Sequence, residues 1–499
     1  LEAGEMTGFA VIDSTQSSQL RVAIIGAGMS GILAAIKLRE DGWQHVVLYE
    51  KAARIGGTWR DNSYPGLSCD VPAHAYTYSF APNAEWSRHM APGPEIQAYF
   101  ERMVQQHDLA PCIRFNTEVT ACEWRGGAWH MATSDGALQE ADVVIAATGV
   151  LHHPKYPQIS GLHSFAGQCF HSARWDHGAE IEGQRVGVIG NGSTGAQLIS
   201  ALAGRAAHLI HFQRTAQWIL PVENPVFTEA QKQALRDDPV LLKQAQASES
   251  YLAVVDHFTR AVIDAESPEL AHLQQAVEEN LERSIANPVL REKLRPPYRA
   301  ACKRLIVSPD YYQAIQHPQV ALVNEGIECV EPEGIRTRDG VLHALDVLVL
   351  ATGFHADRFV RDMNVVGQNG VKLNEVWAER PFAYLAMSVP GFPNFFMLNG
   401  PSGPVGNFSL IDVAEAQWNY IAQLLQPLRQ GRCQQISVAQ AAMNDYETAR
   451  IAAARKTVWA TGCNSWYLDA QGVPATWPWS YAHFREVMTT PNFAHFDCT

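Results

Sequence analysis

The sequence predicts an α/β protein in which two parallel β-sheets each end in a glycine-rich turn, with a helical insertion. The strand–turn–helix pattern GxGxxG occurs twice, starting at Gly26 and at Gly190. Between Glu223 and Arg299 the strand-like apolar runs stop, and Ala, Gln, Glu and Leu recur at helical spacing. The 499 residues suffice for two or three domains, each with its own core.

The first glycine turn follows the apolar run Arg21–Ile25 and precedes a helical run. In such a turn Gly26 reverses the chain, Gly28 admits a pyrophosphate to the backbone, and Gly31 lets helix and strand pack closely. The helix N-terminus favours the phosphates. The next strand ends in Glu50, about 20 residues after the last glycine, where an acid binds a ribose hydroxyl. This turn therefore suits the AMP half of FAD.

The second turn repeats the pattern, but the strand after it ends differently. Arg214 lies at nearly the offset that Glu50 has in the first copy. A guanidinium binds a 2′-phosphate by charge-assisted hydrogen bonds, whereas an acid would repel it. The second turn is therefore predicted to bind NADPH in preference to NADH. Its candidate cofactor residues are Gly190, Gly192, Ser193, Thr194, Gly195, Arg214 and Thr215.

Two apolar runs, 141–149 and 345–354, contain Ala-Thr-Gly after a buried strand. They resemble the chain crossings of flavoproteins that bind two dinucleotides. The predicted fold is therefore two Rossmann-like dinucleotide-binding domains, for FAD and NADP, with a helical insertion. The predicted limits are 16–148 and 354–499 for the FAD domain, 155–222 and 302–350 for the NADP domain, and 223–301 for the insertion. A helix is also predicted from Ile411 to about Leu428.

Composition restricts partners and location. A formal net charge of -13 argues against a nucleic-acid partner, which would require clustered Lys and Arg. The 9 cysteines form no CxxC pair and predict reduced, cytosolic usage with no disulfide framework and no metal site. The sequence shows no membrane-length apolar run and no signal peptide. Residues 1–5 resemble a cloning remnant. We expect a cytoplasmic monomer or weak homodimer.

The segment between the two turns has Phe165, Gly167, His171, Trp175 and Asp176 at the spacing F-x-G-x-x-x-H-x-x-x-W-[P/D]. This resembles the fingerprint of Baeyer–Villiger monooxygenases. Related flavin-containing and N-hydroxylating monooxygenases usually have another aromatic residue at the position of Trp175. The resemblance implies that His171 acts through domain motion and cofactor positioning, not through direct proton transfer.

A second family pattern, [A/G]-G-x-W-x-x-x-x-[F/Y]-P-[G/M]-x-x-x-D, is matched by 56–70. Its candidate cofactor contacts are Gly57, Thr58, Trp59 and Asp70. Lys303 and Arg304 stand where the family has a Lys on the NADP 2′-phosphate and an active-site Arg. By that match Arg304 is catalytic, Asp70 is its partner carboxylate, and Lys303 is a cofactor ligand.

The resemblance implies an FAD-containing, NADPH- and O2-dependent enzyme that converts ketones to esters or lactones through a peroxyflavin. Arg304 would stabilise the negative charge, and sulfides would be side substrates. Two turn-rich stretches, 399–407 and 463–472, are candidates for substrate-facing loops or ordinary FAD-domain loops.

The main alternative is a related monooxygenase, and two other classes of dinucleotide-binding protein fit the sequence less well. A flavin-containing monooxygenase acting on sulfur or nitrogen nucleophiles would share both cofactors. A pyridine nucleotide–disulfide oxidoreductase would need a redox-active cysteine pair, which the sequence does not show. A dinucleotide sensor without catalytic activity would not consume NADPH when substrate is added.

Overall fold

The computed structural model describes residues 20–404, 406 and 408–499. The predicted remnant 1–5, the first residues of the predicted FAD domain (16–19), and Val405 and Asn407 of the 399–407 loop lie outside that description. The strands are β1 (Arg21–Ile25), β2 (His45–Tyr49), β3 (Ile113–Arg114), β4 (Val119–Arg125), β5 (Ala128–Thr133), β6 (Leu138–Ala141), β7 (Val143–Ala146), β8 (Gln168–His171), β9 (Arg185–Ile189), β10 (His208–Phe212), β11 (Ile219–Leu220), β12 (Ile306–Val307), β13 (Val320–Val323), β14 (Ile327–Glu331), β15 (Gly334–Thr337), β16 (Leu342–Ala344), β17 (Val347–Leu350), β18 (Asn364–Val366), β19 (Phe395–Met397), β20 (Ile436–Val438) and β21 (Phe496–Cys498).

The helices include the long α12, which matches the helix predicted from Ile411 to about Leu428. They are α1 (Met29–Glu40), α2 (Thr58–Asp61), α3 (Gly93–Gln106), α4 (Ser193–Leu202), α5 (Glu229–Asp237), α6 (Pro239–Gln246), α7 (Glu249–Ile263), α8 (Pro268–Ser284), α9 (Pro288–Lys293), α10 (Tyr311–Ala314), α11 (Leu373–Val376), α12 (Leu410–Arg429), α13 (Gln440–Ala454) and α14 (Tyr481–Val487). Within the described part of the chain, none of these helices combines the length and hydropathy that a bilayer span requires.

The first parallel sheet has the strand order β19-β7-β1-β2-β3. The buried β1 lies between β2 and β7, and α1 connects β1 to β2. β19 is contributed by a part of the chain far downstream and pairs with β7. The late segment thus returns to the first sheet.

The second parallel sheet has the order β13-β10-β9-β17-β8. β9 takes the place that β1 has in the first sheet, with α4 connecting it to β10. Smaller β-units accompany both sheets. They are the four-stranded β18-β4-β5-β6, the three-stranded β14-β15-β16, and the pairs β11-β12 and β20-β21.

Helices α5 to α9 fill the predicted insertion between β11 and β12, which pair in parallel. Local signals explain their starts, because capping side chains bind free backbone N–H groups. Thr228 forms a capping box with Gln231 at α5, and Ser248, Ser267 and Asn287 cap α7, α8 and α9. The fold class predicted from the sequence is confirmed.

The prediction of cysteines without a disulfide framework is wrong. Cys302 is bonded to Cys463 and Cys433 to Cys498. Each pair joins positions far apart in sequence, 161 and 65 residues respectively. Sequence spacing could not indicate these pairs, because the tertiary fold alone brings the partner sulfurs together. Among the described residues, no cluster of three or more His, Cys, Asp or Glu is placed to hold a metal.

Candidate functional site

A cavity of about 1620 Å³, here called the central cavity, is lined by both glycine turns. Gly26 and Gly28 reach it from the first sheet, and Gly192 reaches it from the second. Both Ala-Thr-Gly segments, 147–149 and 351–353, also line it. These segments follow β7 and β17, the neighbours of β1 and β9, so the two sheets direct equivalent edges to one space.

The first turn leaves its backbone open to the central cavity. Helix α1 starts at its N-cap Gly28 with no side chain capping its N–H groups and no acid in its first turn. A β-carbon on Gly31 would collide with the carbonyl of Gly26, so helix and strand pack as close as a glycine permits. Free N–H groups at a helix N-terminus attract phosphate.

Glu50 lies at the edge of this turn and is only 4% exposed. Its carboxylate accepts hydrogen bonds from the N–H groups of Ala27 at 3.0 Å and Ala52 at 2.9 Å. Arg60 Nη1 lies 2.8 Å from Glu50 Oε1. A carboxylate accepts about four hydrogen bonds. After these three partners, Glu50 keeps capacity for a further donor such as a ribose hydroxyl.

The second turn has the same construction. Helix α4 starts at Gly192, again without a side-chain cap or an acid in its first turn, and a β-carbon on Gly192 would meet only open space. A β-carbon on Gly195 would collide with the carbonyl of Gly190. Ser193 and Thr194 line the central cavity beside Gly192.

The strand register sharpens the comparison between Glu50 and Arg214. Tyr49 pairs with the last residue of β1 and Phe212 with the last residue of β9. Glu50 therefore corresponds to Gln213, and Arg214 lies one residue further. The amide of Asn191 donates to Gln213 Oε1 at 3.1 Å and to the Thr215 carbonyl at 2.7 Å. The neutral amide of Gln213 thus occupies the position equivalent to Glu50, and the cation Arg214 is the next residue.

Arg214 and Lys303 are electrostatic neighbours, although they are 89 positions apart in the sequence. Burial and the charge of Arg214 together lower the pKa of Lys303. The Lys303 ammonium lies 4.6 Å from the centroid of the Tyr298 ring. Two cations that repel each other bind an anion between them favourably. Both side chains lie outside the residues that line the central cavity.

The predicted pattern 56–70 connects the two halves. Tyr64 donates a hydrogen bond to Gln197 Oε1 at 2.8 Å, and Thr194 donates to the Tyr64 hydroxyl at 3.2 Å. A β-carbon on Gly66 would lie 2.7 Å from the Gln197 carbonyl, so only glycine allows this loop to approach α4. The segment therefore reaches from the first turn to the second, ending at Asp70.

Three cofactor candidates of the same segment face the first turn. Gly57, Thr58 and Trp59 line the central cavity, and a β-carbon on Gly57 would lie 3.2 Å from the Cα of Gly28. The Trp59 indole N–H donates to the Tyr76 hydroxyl at 3.2 Å. These residues fix the wall of the space in front of α1.

Asp70 and Arg304, from segments 234 residues apart, form an ion pair in the wall of the central cavity. Their side chains are 24% and 31% exposed, so both still reach the cavity. The charge of Asp70 is the main reason that the pKa of Arg304 is raised above its usual value. The arginine therefore carries a permanent positive charge there.

The segment before Arg304 is tightly held. Ala301 has φ 60°, a left-handed backbone that costs a non-glycine residue about 1–3 kcal/mol. Cys302 is buried and bonded to Cys463. Residues in such conformations persist where surrounding contacts determine them. The turn thus places Lys303 and Arg304 in different environments, one peripheral and one in the cavity wall.

The fingerprint residues do not reach the central cavity. Phe165, Gly167, His171, Trp175 and Asp176 are absent from its lining. Trp175 packs edge-on against Phe170, with ring centroids 5.1 Å apart, and Asp176 accepts a hydrogen bond from the Gly178 N–H at 2.9 Å. A β-carbon on Gly167 would collide with the Asp346 carbonyl. The segment therefore contributes the edge strand β8 to the second sheet and does not line the cavity.

His171 is the fully buried member of the fingerprint, at the end of β8 beside the last residue of β17. Its Nδ1 accepts a hydrogen bond from the Ala173 N–H at 3.1 Å, and its ring lies 5.9 Å from that of Phe354. Burial lowers the pKa of His171 to about 4. The imidazole is therefore neutral at neutral pH and adjoins the chain crossing between the two sheets.

Sequence reasoning missed one member of the site. Tyr467 lines the central cavity and interacts with Arg304, although the sequence marked it only as part of a turn-rich stretch. An aromatic residue in a loop gives no signal of its partner, so only the fold could reveal this contact.

Comparison with known proteins agrees with this geometry. Residues 19–225 match the model of the flavin-binding monooxygenase-like family. The chain is 44% identical to an uncharacterized monooxygenase of Mycobacterium tuberculosis over 477 residues, covering 95% of each protein. It is 38% identical to a Baeyer–Villiger monooxygenase of Streptomyces coelicolor over 482 residues, covering 96% of this chain and 92% of the relative.

Among solved structures, the crystal structure of OTEMO in complex with FAD and NADP superimposes with a TM-score of 0.86 at 28% identity. The match covers 97% of this chain and 100% of that one. The similarity therefore includes both sheets, the insertion and the segments that carry Asp70 and Arg304.

Proposed function

This chain belongs to the Baeyer–Villiger monooxygenases, and on that premise we propose that its central cavity converts a ketone to an ester or lactone beside Arg304 and Asp70. The enzyme contains FAD and depends on NADPH and O2. The observation that carries the site assignment is the Asp70–Arg304 ion pair, which lines the same cavity as both glycine turns.

The residues present fit both cofactors. The uncapped N-termini of α1 and α4 and the open backbone at Gly28 and Gly192 suit two pyrophosphates. Glu50 suits the ribose of the FAD adenosine, with Gly57, Thr58 and Trp59 lining the adjacent space. The chemistry that FAD supplies here, once reduced by NADPH, is the activation of O2.

Arg304 has the properties that the ketone oxygen needs. Negative charge develops on that oxygen when its carbonyl carbon is attacked, and a fixed cation in the cavity wall stabilises it. The guanidinium stays charged and offers a planar set of donors. Asp70 holds one edge of this group and limits its rotation, so less reorganisation is needed during the reaction.

Arg214 and Lys303 suit the 2′-phosphate that distinguishes NADPH from NADH. The two positive side chains are close enough for Arg214 to lower the pKa of Lys303, and neither side chain has an ion-pair partner among the described residues. A phosphate between them would relieve the repulsion and form charge-assisted hydrogen bonds. We assign both side chains, with Thr215 nearby, to NADPH binding.

The insertion supplies an apolar wall to the same cavity. Its contributors are Leu235, Leu241, Val254, Val255 and Phe258. Val254 is 65% exposed, which places it at the solvent-facing rim. Apolar walls bind by burying apolar ligand surface, whereas a small polar ketone would gain little from them. The substrate class proposed is therefore hydrophobic ketones, with sulfides as side substrates.

The domain limits predicted from sequence are retained as part of the proposal. Membership of the two sheets supports them, since β19 returns to the first sheet and β17 to the second. A cytoplasmic location and a monomeric or weakly dimeric state are proposed as well, because NADPH is an intracellular reductant and the described cavity is complete within one chain.

The test is NADPH oxidation by the purified enzyme with cyclic, linear and aryl ketones and with a thioether, under ¹⁸O2. We expect ketone-dependent NADPH consumption and an ester or lactone carrying one labelled oxygen atom. The thioether should give a labelled sulfoxide more slowly. Sulfoxide formation with no ester from any ketone would contradict the proposal and favour a sulfur- and nitrogen-oxidising monooxygenase.

A further inference from the structure

Tyr467 shares a small space with Arg304. The Tyr467 hydroxyl and Arg304 Nη1 both lie against the backbone of Gly406, so the tyrosine is a second polar neighbour of the guanidinium besides Asp70. A β-carbon on Gly406 would collide with that hydroxyl and lie 3.4 Å from Arg304 Nη1. The backbone of Gly406 therefore closes the space, and the hydroxyl and the guanidinium have little room to separate.

The Tyr467 ring is held by its surroundings. Only 3% of the residue is exposed, and its ring centroid lies 5.4 Å from that of Trp459 and 4.3 Å from that of Trp466. Its carbonyl accepts a hydrogen bond from the Ala475 N–H at 2.8 Å. A buried, packed ring presents its hydroxyl at a fixed point.

The segment after Tyr467 is fastened by a buried charge. Asp469 is 3% exposed at its side chain and pairs with Arg380 Nη1 at 3.0 Å. Its other oxygen accepts hydrogen bonds from the N–H groups of Gln471 at 2.9 Å and Val473 at 2.8 Å. Breaking a buried carboxylate away from such partners is strongly destabilising, so this segment is held in place.

The segment before Tyr467 is fastened by the Cys302–Cys463 bridge. Cys302 lies two residues before Arg304 and Cys463 four residues before Tyr467, with their Cα atoms 6.1 Å apart. The bridge thus joins the two segments whose side chains meet. Disulfides are rare in cytosolic proteins, where those present mostly have redox or catalytic roles.

We propose that Tyr467 is a positioning residue for Arg304, which it holds together with Asp70, and that the Cys302–Cys463 bridge keeps the two segments at the spacing this contact requires. The inference rests on the proposed function, in which the Arg304 charge acts on the ketone oxygen. Arg304 is the catalytic residue; Tyr467 acts through it.

The first test removes only the hydroxyl. In the holoenzyme, Tyr467→Phe should lower kcat for ketone oxygenation about 10-fold, because the guanidinium loses the polar neighbour that helps to orient it. The KM for NADPH should change less than about 2-fold, since the NADP-side cations are elsewhere. Tyr446→Phe, which removes another buried hydroxyl outside the cavity lining, is the matched control and should keep the wild-type kcat.

The second test asks whether Tyr467 works through Arg304. In an Arg304→Ala background, Tyr467→Phe should cause no further loss of the residual rate or of the coupling between NADPH oxidation and product. If the two losses multiply instead, Tyr467 has its own role in the reaction and the positioning role is overturned. An unchanged kcat in Tyr467→Phe alone overturns it too.

The third test addresses the bridge, with the other disulfide as its control. Cys302→Ser/Cys463→Ser should lower kcat several-fold, whereas Cys433→Ser/Cys498→Ser should keep it, because that pair joins segments that carry neither Arg304 nor Tyr467. Thermal unfolding of both variants separates this effect from a general loss of stability. Equal kcat in both double variants would overturn the role of the bridge.

These results separate failure of the inference from failure of the proposed function. If the wild-type enzyme makes no ester from any ketone, the proposed function is wrong, and the role of Tyr467, which depends on that function, is wrong as well. A wild-type enzyme that makes the ester, with Tyr467→Phe equally active, removes the inference alone.

Discussion

The two glycine turns differ less in their backbone than in the side chains at their rims. In both, the first glycine has a left-handed φ, 102° at Gly26 and 109° at Gly190, and packs against the carbonyl of the alanine in an Ala-Thr-Gly segment. The rims differ in charge: Glu50 is buried and has three partners, with capacity for one more donor, whereas Arg214 is exposed beside Lys303. In the proposed function, the shared backbone binds a dinucleotide and the side chains at the rim determine which dinucleotide is bound.

The largest effect should come from breaking either turn. Gly31→Ala and Gly195→Ala each place a methyl group against the carbonyl of the first glycine of their own turn, so the following helix must shift. We expect Gly31→Ala to purify without FAD and Gly195→Ala to keep FAD but lose its reduction by NADPH. Flavin absorbance and anaerobic reduction measure this. Loss of FAD from both variants alike would contradict two independent sites.

Next in size is the removal of the rim cation. Arg214→Ala should raise the KM for NADPH about 10- to 100-fold, because hydrogen bonds to a phosphate contribute roughly 1.5–3 kcal/mol. The KM for NADH should stay within about 2-fold. Arg205→Ala, which removes an exposed arginine paired with Glu182, serves as control. A parallel rise for both nucleotides would refute a phosphate contact.

A buried histidine beside the second turn makes the stability of the protein depend on pH. His211 and Leu48 pair with equivalent residues of β9 and β1, and the His211 Nε2 lies 3.1 Å from the Gly190 carbonyl. Burial lowers the pKa of His211 to about 4 from an unfolded value of 6.5. Unfolded protein therefore takes up the proton first, and stability present above pH 6.5 is lost as the pH falls toward 4.

His211→Leu should remove the part of the pH dependence of the unfolding free energy that comes from this histidine. The wild type should lose about 2 kcal/mol more unfolding free energy between pH 7.5 and pH 5 than the variant does. Urea unfolding at the two pH values measures it, with His208→Leu at an exposed position of the same strand as control. If the unfolding free energy of wild type and of His211→Leu fell equally between the two pH values, this histidine would not be the source of the pH dependence.

Of the changes considered, the loss of Lys303 should have the smallest effect on NADPH binding at the second turn. Lys303→Ala is expected to raise the KM for NADPH about 3- to 10-fold, since a flexible ammonium forms a weaker phosphate contact than a guanidinium. With Arg214→Ala, the combined loss should be smaller than the product of the single losses, because both cations serve one phosphate. A fully multiplicative loss would place Lys303 at another group.

The repeated local motifs could be predicted from the sequence, whereas the contacts between distant segments could not. Both turns, the Ala-Thr-Gly strands and the helical insertion follow from local patterns of glycine, apolar and capping residues. The family resemblance named Asp70 and Arg304, and the structure places them in one ion pair. The Tyr467 contact and both disulfides join segments far apart, so no local pattern encodes them.

The pairing register of the strands also could not be predicted from the spacing of residues in the sequence. Counting from the glycines places Arg214 opposite Glu50, whereas strand pairing shows that Gln213 corresponds to Glu50 and Arg214 follows. An offset of one residue changes which side of the strand end a side chain leaves, and only the paired strands determine that.

The most direct measurement of the central claim is product formation by Arg304→Ala beside wild type, with NADPH, a hydrophobic cyclic ketone and ¹⁸O2. We predict a labelled lactone from the wild type and at least about a 100-fold lower rate from Arg304→Ala, with FAD still bound. NADPH oxidation by the variant should continue without lactone. Lactone formation by Arg304→Ala at the wild-type rate would contradict the account.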